Sequence, residues 1–203
     1  MKIICIGRNY YNHIKEMGDD IPKEPIFFIK PDTALLIRNR PFYIPNFSDE
    51  IDYEVELIIK ICKAGKNIDE KFAFNYFKEI GIGIDFTARD IQREHQAKGL
   101  PWEKSCVFEN STALSPFLPI ENINQLKDLQ FTLAKNNLEK HKGSTSTMLF
   151  SIKKLITYIS TYFTLKTGDL IFTGSPIPSV PININDVIEV FMGDEKHMRF
   201  RIK

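Results

Sequence analysis

Cysteine is scarce in this sequence, and the few cysteines form no recognisable pattern. The three residues, Cys5, Cys62 and Cys106, are far apart and odd in number. That spacing excludes a disulfide framework and the paired ligand spacing of a zinc site. Because unpaired thiols are typical of reducing compartments, we expect a cytoplasmic protein.

A large net charge and long apolar runs are also missing. The formal net charge is +1, so the sequence lacks the electrostatic signature of a protein that binds nucleic acid or anionic membranes. No apolar run approaches the roughly 20 residues of a membrane helix. The N-terminal run Ile3-Ile-Cys-Ile6 is too short for a signal peptide. We therefore expect neither a nucleic-acid nor a membrane partner.

The sequence does contain enough apolar residues for a substantial core. It has 203 residues, of which 43% are hydrophobic, as in ordinary globular proteins. No internal repeat, low-complexity tract or linker divides it, so we predict one domain over residues 1–203. Many short strand-like segments and few helical ones favour a β-rich α+β fold over a doubly wound sheet.

One strand-like stretch, Ile51–Ile61, places several carboxylates together. Apolar residues alternate along it, so Asp52, Glu54 and Glu56 fall on the opposite face. Neighbouring carboxylates on one strand face repel each other. Such a face is either solvated or binds a divalent cation. Taken alone, the stretch favours the solvated face, which is common in surface strands.

A second strand-like stretch, residues 79–85, supplies another carboxylate. Gly81 and Gly83 alternate with isoleucines, which leaves one face without side chains, and Asp85 ends that face. Glycine in a strand is typical of close approach to the backbone. If the two stretches are neighbours, Asp85 joins Glu54 and Glu56 in an oxygen-rich site that suits Mg²⁺ or Mn²⁺ better than Zn²⁺.

The next segment is predicted to be a helix over residues 88–97, with Thr87 as its N-cap. Arg89 and Gln92 lie one turn apart on this helix, close in sequence to Asp85. A helix is also predicted over residues 70–78, and an edge strand over residues 41–45.

Near the N-terminus, residues 8–17 are predicted to form a short helix. His13 and Glu16 are at positions i and i+3, so they are neighbours on one face. A histidine held by a carboxylate can act as a base near neutral pH. The remaining histidines show no partner in the pattern and are expected at the surface: His95, His141 and His197.

Together these motifs resemble the fumarylacetoacetate hydrolase family, more narrowly its short single-domain acylpyruvase and oxaloacetate decarboxylase type. The similarity runs from Ile4 almost to the C-terminus. It is carried by Gly7-Arg8-Asn9-Tyr10 with His13 and Glu16, Asp52-Tyr-Glu54-Val-Glu56, Asp85-Phe-Thr-Ala-Arg89-Asp-Ile-Gln92, Gly99-Leu-Pro-Trp102, Ser146-Thr-Met148, and Leu165-Lys-Thr-Gly-Asp169-Leu-Ile-Phe-Thr173-Gly-Ser-Pro176.

The resemblance implies a mixed β-sandwich or β-roll, usually a homodimer, that holds Mg²⁺ or Mn²⁺. The implied metal ligands are Glu54, Glu56 and Asp85. His13 and Glu16 would be the catalytic dyad, on a lid helix near residues 8–20. Five further positions would bind substrate oxygens or orient the dyad: Arg8, Lys30, Arg89, Gln92 and Thr173.

The implied substrates are small 2-oxo acids. The reaction would cleave a C–C bond in a 2,4-dioxo acid, such as an acylpyruvate or fumarylpyruvate, or decarboxylate oxaloacetate. Either cleavage leaves an enolate, which a metal and cationic donors stabilise. The alternatives are isomerisation of a 2-hydroxyhepta-2,4-diene-1,7-dioate and binding of metal and oxo acid without turnover. A calcium-dependent carbohydrate-binding sandwich is a third alternative, but it has no use for His13 and Glu16.

Two segments depart from the family pattern. An ungapped alignment from Gly99-Leu-Pro-Trp102 places Cys106 where relatives usually have a catalytic or oxyanion-stabilising lysine. Lys104, two positions earlier, would share a face with residue 106 if the segment were a strand. Residues 176–181 are proline-rich where relatives are usually glycine-rich. Both departures concern the substrate end of the site and leave the carboxylates intact.

Overall fold

The computed structural model describes residues 1–11, 14, 15, 20–36 and 40–203. Within these residues the chain forms two β-sheets and a few helices, which confirms the predicted β-rich α+β fold. The strands are β1 Ile3–Gly7, β2 Ile26–Lys30, β3 Ile51–Ile61, β4 Phe77–Ala88, β5 Thr112–Leu114, β6 Leu118–Pro119, β7 Gln130–Lys135, β8 Glu139–Ser144, β9 Leu170–Phe172, β10 Val180–Pro181, β11 Val187–Met192 and β12 Glu195–Arg201. The α-helices that are described over their whole length are α1 Arg89–Lys98, α2 Glu103–Cys106 and α3 Ile152–Tyr162.

The first sheet has eight strands and is built around the long pair β3 and β4. Its order is β2-β1-β9-β3-β4-β5, with β10 added to β3 and β6 to β4. The β3–β4 pairing is antiparallel and runs from Ile51 opposite Ala88 to Lys60 opposite Glu79. β1 pairs with β9 in parallel, so the start of the chain lies beside a strand near its end.

The second sheet, in the order β12-β11-β7-β8, covers one part of the first. Its Phe131 and Val190 pack with Tyr53, Val55 and Phe86 in a single apolar cluster. The alternation that predicted β3 supplies one side of this cluster, since Tyr53 and Val55 are completely buried. Burying each such side chain contributes about 1.5–3 kcal/mol.

Helix α3 covers the other part of the same sheet face. Leu155, Ile156 and Ile159 recur at helical spacing and pack on Leu57 and Ile59 of β3. The helix begins after its N-cap Ser151, whose side chain accepts a hydrogen bond from the N–H of Lys154. No helix among the described residues is long and apolar enough to cross a membrane.

Several predicted boundaries are wrong. Thr87 is not the N-cap of α1 but belongs to β4, where it pairs with Asp52. The N-cap is Ala88, and the freed N–H of Arg89 donates to the carbonyl of Glu50 instead. The predicted helix over residues 70–78 is a 3-10 helix, Glu70–Tyr76, and the predicted edge strand over 41–45 is a single bridge at Phe42.

The turn before β9 binds the N-terminal residues through hydrogen bonds to Asp169. Asp169 is 1% exposed, and its carboxylate accepts hydrogen bonds from the backbone N–H of Lys2 and of Lys166, both 2.9 Å long. The Lys2 ammonium also donates to it. Burial alone would raise the pKa of Asp169, but these hydrogen bonds outweigh burial and lower the pKa.

We predict that Asp169→Asn destabilises the fold by about 1–3 kcal/mol, because buried donors then face an amide group. Since the folded-state pKa of Asp169 is below its unfolded value, the contribution is complete above the unfolded pKa of about 3.9 and is lost as the pH falls through the folded pKa. Urea unfolding at pH 7 measures the loss of stability, and its repetition at pH 3 measures how much of that loss disappears at low pH. Asp69→Asn is the control, because that carboxylate is exposed. Equal stability of the two variants at pH 7 would contradict the prediction.

Candidate metal and active site

The β3–β4 register brings three carboxylates to one cavity. Glu54 lies directly opposite Asp85, and Glu56 opposite Gly83. Side chains at these positions share one sheet face, so all three carboxylates line a cavity of about 80 Å³ at the end of β1. The predicted neighbourhood of the two strands is therefore present in the structure.

Two of the three carboxylates are buried and Glu54 is partly buried, so the solvated-face interpretation of β3 is wrong. Glu56 and Asp85 are each 3% exposed. Burial raises the pKa of Glu56 well above its usual range, and the charges of Asp85 and Glu54 raise it further. Burial also raises the pKa of Asp85, although Lys30 opposes that shift. The cavity therefore concentrates negative charge that water does not stabilise.

Lys30, predicted to bind substrate, lies beneath Asp85 and does not line the cavity. Its ammonium is fully buried and donates to Oδ1 of Asp85 at 2.5 Å. It also donates to the backbone carbonyl and the hydroxyl of Ser111, both at 3.1 Å. Burial would lower the pKa of Lys30, but Asp85 outweighs burial and raises it. Lys30 is thus an internal counter-ion for Asp85.

Arg89 pairs with Glu54 as Lys30 pairs with Asp85. Its Nη2 donates to Oε1 of Glu54 at 2.6 Å, and its Nε donates to Oδ2 of Asp52 at 2.9 Å. The remaining Nη1 donates to Oε1 of Gln92 at 2.6 Å. Arg89 therefore orients both Glu54 and Gln92, and both Arg89 and Gln92 line the cavity as predicted substrate residues should.

Glu56 is held by backbone. Its Oε2 accepts a 2.6 Å hydrogen bond from the N–H of Gly174, just after β9. The neighbouring Thr173 was also predicted to bind substrate. Its hydroxyl instead donates to the carbonyl of Leu57 at 3.0 Å, and the residue is fully buried outside the cavity lining.

The glycines of β4 make room for core side chains. A Cβ on Gly83 would lie 2.3 Å from Cδ1 of Ile58 and 2.6 Å from Cε1 of Phe172. Other groups therefore do approach the backbone of this glycine face closely, as predicted, but they are the core side chains Ile58 and Phe172. Ile58 and Phe172 belong to a small apolar cluster that continues the sheet face carrying the carboxylates.

The other cavity walls come from the end of β1, from β2, from α1 and from the segment after it. Arg8 lines the cavity, as do Phe28, Gln96 and Trp102. Trp102 packs over the backbone of Gly7 and meets Phe28 edge-on at 5.8 Å between ring centroids. Sequence reasoning assigned no role to Gln96, although its position four residues after Gln92 places it on the same helix face.

Cys106 lines the cavity, and Lys104 does not. Residues 103–106 form the helical turn α2, so positions two apart do not share a face. Cys106 is 2% exposed, its Sγ donates to the carbonyl of Trp102, and burial raises its pKa to about 12. Lys104 instead lines an apolar surface groove with Phe47 and Phe108. The cavity therefore has a neutral thiol at this position.

The predicted dyad, His13 and Glu16, lies outside the described residues. The predicted helix over residues 8–17 starts later than expected, because Arg8 has a left-handed φ of 58°. Tyr11, Ile14 and Lys15 are helical. The expectation that His95 is a surface residue is wrong, since it is 7% exposed and its Nδ1 lies 2.6 Å from the carbonyl of Pro101.

The donor chemistry of the cavity fits a hard divalent cation. Across the described ranges, no three His, Cys, Asp or Glu side chains converge closely enough to form a metal site on their own. The three carboxylates are instead held by Lys30, Arg89 and the N–H of Gly174. Carboxylate oxygens are the donors that Mg²⁺ and Mn²⁺ prefer, so the residues fit such an ion.

Comparison with known proteins agrees with this geometry. The family model described as fumarylacetoacetate (FAA) hydrolase, C-terminal, matches residues 2–203. The chain belongs to the fumarylacetoacetate hydrolase family. Its predicted membership and fold type are thereby confirmed.

Characterised members of the family are similar to this chain over nearly its whole length. A mitochondrial oxaloacetate tautomerase of Mus musculus is 40% identical over 201 residues, covering 99% of this chain and 91% of the relative. A mitochondrial oxaloacetate decarboxylase of Dictyostelium discoideum is 39% identical over 203 residues, covering 99% and 93%. These relatives are enzymes, which confirms the predicted enzyme class.

The fold also matches a solved member of the family that holds metal. Fumarylpyruvate hydrolase from Pseudomonas aeruginosa, in complex with Mn²⁺ and pyruvate, superimposes with a TM-score of 0.93 at 26% sequence identity. The superposition covers 100% of this chain and 89% of the other.

We predict that Lys30→Met destabilises the metal-free protein by about 3–5 kcal/mol, because it leaves Asp85 buried without a counter-charge. Replacing both partners, in Lys30→Met/Asp85→Asn, removes that charge and should restore most of the loss. Denaturant unfolding in the presence of a chelator gives the comparison. The prediction fails if the single variant is as stable as the double variant.

Proposed function

We propose that the protein is a divalent-metal-dependent enzyme that acts on oxaloacetate or a closely similar 2-oxo acid. The observation that carries this proposal is the cavity lined by three carboxylates together with the two arginines Arg8 and Arg89. An anionic substrate is attracted by the arginines, and the carboxylates supply the metal donors that a 2-oxo acid needs for activation.

Glu54, Glu56 and Asp85 are the proposed metal ligands. A bound Mg²⁺ or Mn²⁺ would act as a Lewis acid toward a carbonyl oxygen. Lys30 and Arg89 keep Asp85 and Glu54 in place before the ion binds, because each donates a short hydrogen bond to one carboxylate. Such outer partners orient ligands in metal sites.

Arg8, Arg89 and Gln92 are the proposed contacts to substrate oxygens. For Arg8, a guanidinium group pairs well with a substrate carboxylate, because its planar fork can donate two parallel hydrogen bonds. Arg89 already uses Nε and Nη2 for Asp52 and Glu54, so its contact to substrate is a single hydrogen bond. Negative charge that develops on the enolate oxygen is stabilised by cationic donors fixed in a buried cavity. Lys30 supports these groups from below through Asp85.

His13 and Glu16 remain the predicted acid–base pair. Tautomerisation of oxaloacetate moves a proton between the C3 carbon and the 2-oxygen, and decarboxylation leaves an enolate that must be protonated. Tautomerisation needs a group that takes and gives a proton near neutral pH, and the enolate left by decarboxylation needs a proton donor; a histidine can serve in both roles. The two reactions therefore differ in the bond that changes, and one acid–base pair in this chain can serve either.

The first test is turnover of oxaloacetate with added Mg²⁺ or Mn²⁺. We expect faster enol–keto exchange, CO₂ release or both, and loss of activity with a chelator that is reversed by metal. Glu54→Gln and Glu56→Gln should each cost more than the ~10–100-fold typical of a lost outer partner. Glu79→Gln is the control, because Glu79 lies on β4 but pairs with the surface Lys60. Absence of turnover with either metal, on oxaloacetate and on other 2-oxo acids, would reject the proposal.

Hydrolysis of a dioxo acid is the second candidate, and the Mn²⁺ and pyruvate complex of the Pseudomonas enzyme favours it. Cys106 opposes it, because a neutral thiol supplies no positive charge to the attacked carbonyl.

We predict slow hydrolysis of acetylpyruvate by the natural protein and faster hydrolysis by Cys106→Lys. The matched control is Cys106→Met, which is similar in length but uncharged. Equal rates for these two variants would contradict the prediction.

The isomerase alternative is tested by the same proteins with a 2-hydroxy-dienoic diacid.

We also propose, from the sequence, a single catalytic domain over residues 1–203, a homodimer and a cytoplasmic location. Light scattering of the purified protein measures the assembly. A monomer at working concentration would refute the dimer.

A further inference from the structure

Asn9 directly follows Arg8 and is almost completely buried, with 1% of its surface exposed. Arg8 has a left-handed φ of 58° and lines the cavity. A non-glycine residue in that region costs roughly 1–2 kcal/mol, so surrounding contacts must hold it. Asn9 provides such contacts.

The Asn9 side chain fastens the end of β1 to the segment before α3. Its Oδ1 accepts a 2.8 Å hydrogen bond from the N–H of Phe150, and its Nδ2 donates to the Phe150 carbonyl at 3.3 Å. The Asn9 backbone carbonyl also accepts a 2.8 Å hydrogen bond from the N–H of Leu149.

The same amide reaches the turn that holds Glu56. Nδ2 of Asn9 donates to the carbonyl of Thr173 at 2.7 Å. The next residue, Gly174, has a φ of 89°, and its N–H donates to Oε2 of Glu56. A Cβ on Gly174 would lie 3.0 Å from Cβ of Asn9, so the two residues are in direct contact.

We infer that Asn9 is a positioning residue that fixes Arg8 and Glu56 relative to each other across the cavity. Its amide connects the backbone beside Arg8 to the turn whose N–H binds Glu56. Asn9 therefore acts through these two residues and needs no contact with substrate. The inference rests on the proposed metal-dependent function only in assigning Glu56 as a ligand.

The test compares Asn9→Ala with Ser160→Ala as a matched control. Ser160 is also fully buried, and its hydroxyl accepts a 2.8 Å hydrogen bond from the distant backbone N–H of Ile68. Both variants leave buried backbone groups without a side-chain partner, but Ser160 does not line the cavity. A general loss of stability should therefore appear in both variants, whereas a change in the site should appear only in Asn9→Ala.

The first readout is Mn²⁺ affinity by calorimetry. Asn9→Ala should weaken Mn²⁺ binding about 10–100-fold, the range for lost outer partners of metal ligands, and Ser160→Ala should leave it unchanged. The second readout needs no metal. Trp102 is the single tryptophan of the chain and packs over Gly7, so its emission and quenching by acrylamide should change in Asn9→Ala alone.

The results separate this inference from the proposed function. If the natural protein does not bind Mn²⁺, the proposed function fails, and the tryptophan readout still tests Asn9. If it binds Mn²⁺ and Asn9→Ala binds equally well with unchanged emission, the positioning role is refuted. If Asn9→Ala does not fold, Asn9→Ser decides, since its hydroxyl can keep one of the hydrogen bonds. Failure of both variants to fold refutes the inference, because Asn9 would then serve the whole fold.

Discussion

Repulsion among three carboxylates in one cavity, two of them buried, is the constraint that organises this structure. The antiparallel register of β3 and β4 sets Glu54 opposite Asp85, with Glu56 one step along the same face. Burial removes the water that would otherwise screen their charges. The ionised form of Glu56 is therefore destabilised, and its pKa is raised. Each carboxylate then requires its own source of positive charge or its own donor.

Those compensating groups come from elements far apart in the sequence. β2 provides Lys30 for Asp85, α1 provides Arg89 for Glu54, and the turn after β9 provides the N–H of Gly174 for Glu56. The apolar framework serves the same arrangement, since Gly83 lets Ile58 and Phe172 pack on the sheet face that continues from the carboxylates. Electrostatic compensation and core packing thus occupy adjoining parts of the same sheet face.

The sequence predicted the elements of this site better than their partners. Period-two alternation predicted β3 and the shared face of Glu54 and Glu56, and the glycines of β4 marked Asp85. Alternation within one strand carries no information on its distant neighbours, so the pairing of Lys30 with Asp85 had no signal in the sequence, and Lys30 was placed among the substrate contacts by family resemblance alone. The shared strand face considered for Lys104 and Cys106 is wrong for a local reason, since residues 103–106 form a short helix, while Cys106 itself lines the cavity as the alignment indicated. The predicted dyad of His13 and Glu16 stays a prediction.

The parallel pairing of β1 with β9 has a consequence for how the protein is made. Ile3 pairs with Leu170, so residues separated by most of the chain must meet before the end of β1 is fixed. Contacts between such distant residues slow folding, because a long loop must close first. On the ribosome, β1 cannot take its place until β9 has been synthesised. The cavity, which needs Arg8 and the turn at Gly174 together, therefore forms only after that turn has been synthesised.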